Sequence, residues 1–125
     1  MKKFNLKKKK PFYFDKIAKT YQKNLSFNKS GKYIEFFHRK IILAKISKNC
    51  GPRYLDLGCG DGTISKHILA KNKKIKEATF VDFSATMIKL IKKSTKSFHS
   101  LKKKYILADI SKFKTKQKYN LIIAV

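Results

Sequence analysis

The sequence predicts an α/β fold: a parallel sheet preceded by two helices. Three observations predict it. From residue 53 onward, short apolar strand candidates alternate with helix-like stretches, the pattern of a parallel sheet joined by crossover helices. A glycine-rich turn, Gly58 to Gly62, separates the first of these strands from the first of these helices. Before Pro52, by contrast, apolar residues recur at spacings of three and four, which is the period of a helix. The 125 residues suit one domain, and a 42% hydrophobic content is too rich for a disordered chain.

The elements follow in order. Residues 1–11 are a basic tail ending at Pro11, expected to be mobile, with a polyanion-binding arm as the alternative. Phe14, Ile17, Ala18, Tyr21 and Leu25 form one apolar stripe of a helix over 12–25. Asn24 to Gly31 is a polar break. Residues 32–48 carry Tyr33, Ile34, Phe36, Phe37, Ile41, Leu43, Ala44 and Ile46, so a longer and substantially buried helix is expected there. Asn49-Cys50-Gly51-Pro52 stops it. Residues 53–57 then read as the first strand and Thr63 to Lys71 as a helix with Ile64, Ile68 and Leu69 on one face. Residues 78–82 read as the second strand. Ser84 can cap the next helix, whose Met87, Ile88, Leu90 and Ile91 form its buried face. Residues 105–109 read as the third strand, Lys112 to Lys118 as a polar linker, and 119–125 as the fourth strand.

The charge balance is extreme: 32 basic residues against 7 acidic ones, a formal net charge of +25. Such a field attracts nucleic acid, anionic membrane or an acidic protein. Yet only Arg39 and Arg53 are arginine, the residue whose planar fork reads guanine edges and phosphates. A lysine excess beside many Ile, Phe, Tyr and Asn is also what an AT-biased genome produces, so both causes stay open. No stretch approaches the roughly 20 apolar residues of a membrane span, and no apolar signal segment follows the basic N-terminus. Cys50 and Cys59 make no metal or redox spacing, and His38, His67 and His99 make no metal pattern. A cytoplasmic domain is the expectation.

The few acids are informative. Asp56, Asp61, Asp82 and Asp109 all sit in or just after strands and tight turns, whereas acids kept for solubility would lie on helix faces. The turn itself reads Asp56-Leu-Gly58-Cys-Gly60-Asp-Gly62. Its glycines let the backbone approach a ligand, and the helix that follows offers free N–H groups. The turn also falls at the carboxyl end of a strand, where open α/β sheets bind ligands. It is not the dinucleotide fingerprint G-x-G-x-x-G, because the third glycine comes one residue early. It lacks the Gly-Lys-Ser/Thr of a phosphate-gripping loop. An acid two residues before the first glycine suits a ligand carrying an ammonium group.

The segment from Tyr54 to Thr63 resembles the first motif of class I S-adenosylmethionine-dependent methyltransferases, D/E-x-G-x-G-x-G. Later segments resemble the family in order and spacing: Val81 to Met87 the acid after the second strand and its helix start, Ala108-Asp109-Ile110 the acid after the third strand, and Tyr119 to Val125 the fourth-strand motif. The resemblance covers residues 52–125 and implies a Rossmann-like sheet with S-adenosyl-L-methionine as cofactor. By the same resemblance, Gly58, Gly60 and Gly62 would line the methionine end, and Asp56 would help hold its amino group, directly or through water. Asp82 would accept from both ribose hydroxyls, Phe83 and Met87 would pack on the adenine faces, Asp109 would accept from the adenine amino group, and the Ile110 N–H would meet a ring nitrogen. Phe14 to Tyr21 resembles the opening of small-molecule, lipid and acyl-carrier methyltransferases, in which a residue like Tyr21 often lies over the cofactor. Here Gln22 replaces a usual Asp.

The resemblance therefore implies residues 12–50 as a lid and acceptor side and 52–125 as the first four strands of a sheet that usually has seven. A truncated chain is the expectation. The implied function is methyl transfer to a small-molecule, lipid or carrier-bound acceptor. RNA is the alternative acceptor, and an inactive remnant or non-catalytic cofactor-binding fragment is the alternative to an enzyme. No catalytic residue and no oligomeric state are read from the sequence.

Overall fold

The structure, a computed structural model, describes residues 31–124. The basic tail, the expected helix over 12–25 with Phe14 and Tyr21, and Val125 lie outside the described residues. Seven elements follow in order: α1 (Gly31–Ser47), β1 (Arg53–Leu57), α2 (Thr63–Lys71), β2 (Glu77–Asp82), α3 (Ala85–Ser94), β3 (Lys102–Leu107) and β4 (Leu121–Ile123). The four strands are all parallel, in the order β3-β2-β1-β4. The chain thus builds outward from β1 through β2 to β3, then returns to the other side of β1. That reversal makes a switch point between β1 and β4, the place where such sheets open a crevice beyond their carboxyl ends.

The core lies between one face of the sheet and the helices. Alternation along the strands sends Tyr54, Ala78, Phe80 and Ile123 to that face, where they meet Ile68 and Leu69 of α2 and Ile88 and Ile91 of α3. Phe80 sits at the centre, edge-on to Tyr54 at 6.2 Å and stacked on Tyr105 at 5.4 Å. The Tyr105 hydroxyl is 2.6 Å from Thr95 Oγ1 beyond the end of α3, so a half-buried ring keeps its polar tip satisfied. The crossover from β3 to β4 has no helix. It passes over the opposite face, where the Tyr119 hydroxyl lies 3.5 Å from Thr79 Oγ1.

Two expectations change. β3 begins at Lys102 and ends at Leu107, earlier than 105–109; as an edge strand with an open face it accommodates Lys102 and Lys104 as exposed residues. β4 is only Leu121–Ile123. Asn120 is held outside the ladder by a reciprocal pair with Arg53, whose N–H donates to Asn120 Oδ1 and whose carbonyl accepts from the Asn120 N–H, each at 2.9 Å. Helix α1 turns Ala44 and Ser47 to the core, while Ile41 and Ile42 are 44% and 57% exposed. It docks through its end. Asn72, just past α2, donates through Nδ2 to the carbonyls of Ser47 and Cys50, both at 2.5 Å.

Candidate functional site

The carboxyl ends of β1 and β2 place the glycine turn beside Asp82. Gly58, Gly60 and Gly62 all have positive φ, at 74°, 57° and 85°. Only glycine takes these values without strain. The Gly58 and Cys59 N–H groups both donate to the Val81 carbonyl, at 2.7 and 3.0 Å, which ties the turn to β2. A Cβ added at Gly58 or Gly60 would meet none of the described residues within 4 Å, so the turn faces away from them there. Gly62 differs: its Cβ would lie 2.6 Å from Ile91 Cγ1, so this glycine serves the close approach of α3.

Asp82 ends β2 and is 5% exposed. Its Oδ2 accepts from the Gly60 N–H and its Oδ1 from the Ser84 N–H, each at 2.9 Å. One carboxylate therefore fixes both the turn and the start of α3. Each of its oxygens keeps lone-pair capacity for a further donor. Ser84 caps α3 by accepting from the Met87 N–H at 3.2 Å. Phe83 is half-buried, whereas Met87 is 2% exposed, so the structure gives Met87 no open face for a ligand ring.

Asp56 is drawn inward. It is 4% exposed, and its Oδ2 accepts from the Ser65 hydroxyl, with the Tyr54 hydroxyl 3.5 Å away. The Tyr54 and Ser65 oxygens are themselves 2.6 Å apart. Burial pushes the Asp56 carboxyl up from 3.8 to about 6, against the lowering effect of these two hydroxyls. Asp56 thus presents almost no open surface at the turn. This cluster escaped the sequence reading, although Tyr54 and Asp56 alternate on one strand and must share a face. Burial also drives the Cys59 thiol far upward, so it is a protonated packing group. Asp61 starts α2 by accepting on Oδ1 from the Thr63 N–H and hydroxyl, at 3.0 and 2.8 Å; its buried Oδ2 has no partner among the described residues.

Asp109 lies beyond β3 and is exposed, with Oδ1 accepting from the Ser111 N–H and hydroxyl at 2.9 and 2.8 Å. Beside it, Ile110 and Leu107 are 47% and 59% exposed. Leu107 pairs in register with Asp82, so the third strand's end adjoins the second's. The structure thus brings the turn, Asp82, Phe83, Asp109 and Ile110 to one edge of the sheet.

The residues present fit a nucleoside-bearing cofactor. The turn at Gly58 and Gly60, left uncovered by the described residues, admits a ligand, and the buried carboxylate beside it offers two acceptors to a pair of hydroxyls. The fold and this edge define a class: part of a class I methyltransferase fold. More narrowly, the chain belongs to the methyltransferase small domain family, whose profile matches residues 38–124. Among curated proteins, none matches the chain.

Solved structures agree on the fold. An S-adenosylmethionine-dependent methyltransferase from Clostridium acetobutylicum is 26% identical with a TM-score of 0.58, the match covering 90% of this chain and 43% of that one. Coclaurine N-methyltransferase, solved with N-methylheliamine and SAH, is 25% identical with a TM-score of 0.57, covering 79% of this chain and 28% of that one. A methyltransferase from Thiobacillus denitrificans, in complex with S-adenosyl-L-homocysteine, is 20% identical with a TM-score of 0.58, covering 70% and 36%. The chain therefore spans less than half the length of each. No helix among the described residues is long and apolar enough to cross a membrane.

Proposed function

We propose that this chain binds S-adenosyl-L-methionine at the carboxyl edge of its sheet and serves methyl transfer. The observation that carries this is the buried Asp82 carboxylate, which holds the Gly60 N–H beside a turn left uncovered by the described residues. When bound, the cofactor supplies a methyl group already activated on a sulfonium, which is why the protein's task is positioning. Gly58 and Gly60 would admit the methionine end. Asp82 would accept from the ribose hydroxyls while keeping its two backbone bonds. Phe83 and Ile110 would border the adenine, and Asp109 would accept from its amino group. Asp56 would act through water, with Ser65 and Tyr54 holding its orientation. Tyr21 and the rest of 12–50 would form the lid and acceptor side.

A small-molecule, lipid or carrier-bound acceptor is the favoured class, supported by the likeness to coclaurine N-methyltransferase and by the resemblance of Phe14 to Tyr21. A cytoplasmic location belongs to the same proposal and is supported by two free cysteines, Cys50 and Cys59. Calorimetric titration of S-adenosylmethionine and S-adenosylhomocysteine into wild type and Asp82→Ala tests the cofactor assignment. Each hydrogen bond to a charged acceptor is worth roughly 1.5–3 kcal/mol, so the variant should lose about tenfold or more in affinity for both. Equal affinity in a folded variant would overturn the assignment. Binding without methyl incorporation into any acceptor pool would support the non-catalytic fragment instead.

A further inference from the structure

The end of the sheet opposite the glycine turn has its own chemistry. Where β1, β2 and β4 begin, a groove of about 360 Å³ is bordered by Arg53, Lys76, Glu77, Lys118 and Tyr119. That volume lies in the range of small-ligand sites, about 300–1,000 Å³. The carboxylate present is already engaged: Glu77 Oε2 is 3.3 Å from Arg53 Nε and 3.4 Å from Gln117 Nε2. Lys76 and Lys118 are exposed and make no ion pair among the described residues. Lys73, Lys74 and Lys102, all exposed, extend the positive charge along the loops at the same end. Glu77 is the one acid among the lining residues, and Asp56, Asp61, Asp82 and Asp109 belong to the carboxyl end.

We infer that this groove is a docking site for a single-stranded nucleic acid, with phosphates on Lys76, Lys118 and Arg53 and a base against the Tyr119 ring. A basic groove with an aromatic side chain is the recurring design for single strands. An acidic protein partner is less well matched. Protein interfaces draw affinity from apolar and aromatic anchors, and none of the exposed large apolar residues Ile41, Ile42, Leu107, Ile110 and Ile122 borders the groove. β1 is five residues long, so the groove lies roughly 17 Å from the turn. It is an anchoring site, separate from the methyl-transfer edge and independent of the cofactor proposal.

The test is fluorescence anisotropy with a labelled oligouridylate across a salt series. Wild type is compared with Lys76→Glu/Lys118→Glu and with the equal-charge control Lys66→Glu/Lys89→Glu, whose sites are exposed on α2 and α3. The groove variant should lose about tenfold or more, and its salt slope should fall by about 2, one for each phosphate contact removed. The control should lose less than about threefold. Lys76→Gln/Lys118→Gln gives the same reading if the double reversal fails to fold. Equal loss in both doubles would overturn the proposal in favour of a diffuse field, and displacement of the probe by polyglutamate as readily as by unlabelled oligouridylate would overturn it in favour of an acidic protein. Undiminished S-adenosylmethionine binding in the groove variant keeps this test distinct from that of the cofactor site.

Discussion

The glycines of the turn separate two tasks that look alike in sequence. Gly62 has a φ of 85° and no room for a Cβ, which would press on Ile91; Gly60 has a φ of 57° and no described residue within 4 Å of such a Cβ. Left-handed backbone costs a non-glycine residue roughly 1–2 kcal/mol, and overpacking adds about 1–3. Gly62→Ala should therefore destabilise by about 2–5 kcal/mol in urea unfolding, and Gly60→Ala by about 1–2. Equal losses would mean that the close approach of α3 is absent. Asp56 supplies a prediction with a sign. Its folded carboxyl titrates near 6 against an ordinary 3.8, so between these values the folded state holds more protons than the unfolded one. Its contribution therefore falls as pH rises through that window and stays unfavourable above it. Relative to wild type, Asp56→Asn should gain up to about 3 kcal/mol between pH 4 and pH 7. A difference that does not vary with pH would contradict the buried placement.

At the scale of elements, the best-read segments are those with a local signal. β1 and α2 match the spans read from sequence because alternation, glycines and an apolar stripe lie within a few residues of one another. β3 was misplaced because Lys102-Lys103-Lys104 carries no apolar alternation. Its strand character comes from pairing with β2 at the sheet edge, and from Lys103, whose ammonium donates to the Thr95 and Phe98 carbonyls at 3.1 Å. β4 was over-extended because the reciprocal bonds of Asn120 with Arg53 join positions far apart in the chain. The docking of α1 was invisible for the same reason. Asn72 holds the Ser47 and Cys50 carbonyls and accepts from the Lys74 N–H at 3.0 Å. Asn72→Ala removes the Nδ2 donor from both carbonyls, of which that of Ser47 keeps the Cys50 N–H at 3.0 Å, and should cost roughly 1–3 kcal/mol by thermal unfolding. A loss below about 1 kcal/mol would mean that water replaces the side chain there.

At the scale of the molecule, the order of motifs along the chain carried the fold and the family, because a parallel sheet brings the ends of successive strands to one edge. The candidate site was legible to the same extent: the turn, Asp82, Asp109 and Ile110 meet where their strands end. The inward turn of Asp56 was not legible, since it depends on which neighbours fill the space above the sheet. The central claim, that the cofactor sits at the carboxyl edge, is tested most directly by amide NMR of the labelled chain titrated with S-adenosylmethionine. Shifts should concentrate at Gly58 to Gly62, at Asp82 to Ser84 and at Asp109 to Ser111, with Arg53, Lys76 and Lys118 unmoved. Shifts centred on the amino-end groove, or none at the glycine turn, would contradict it.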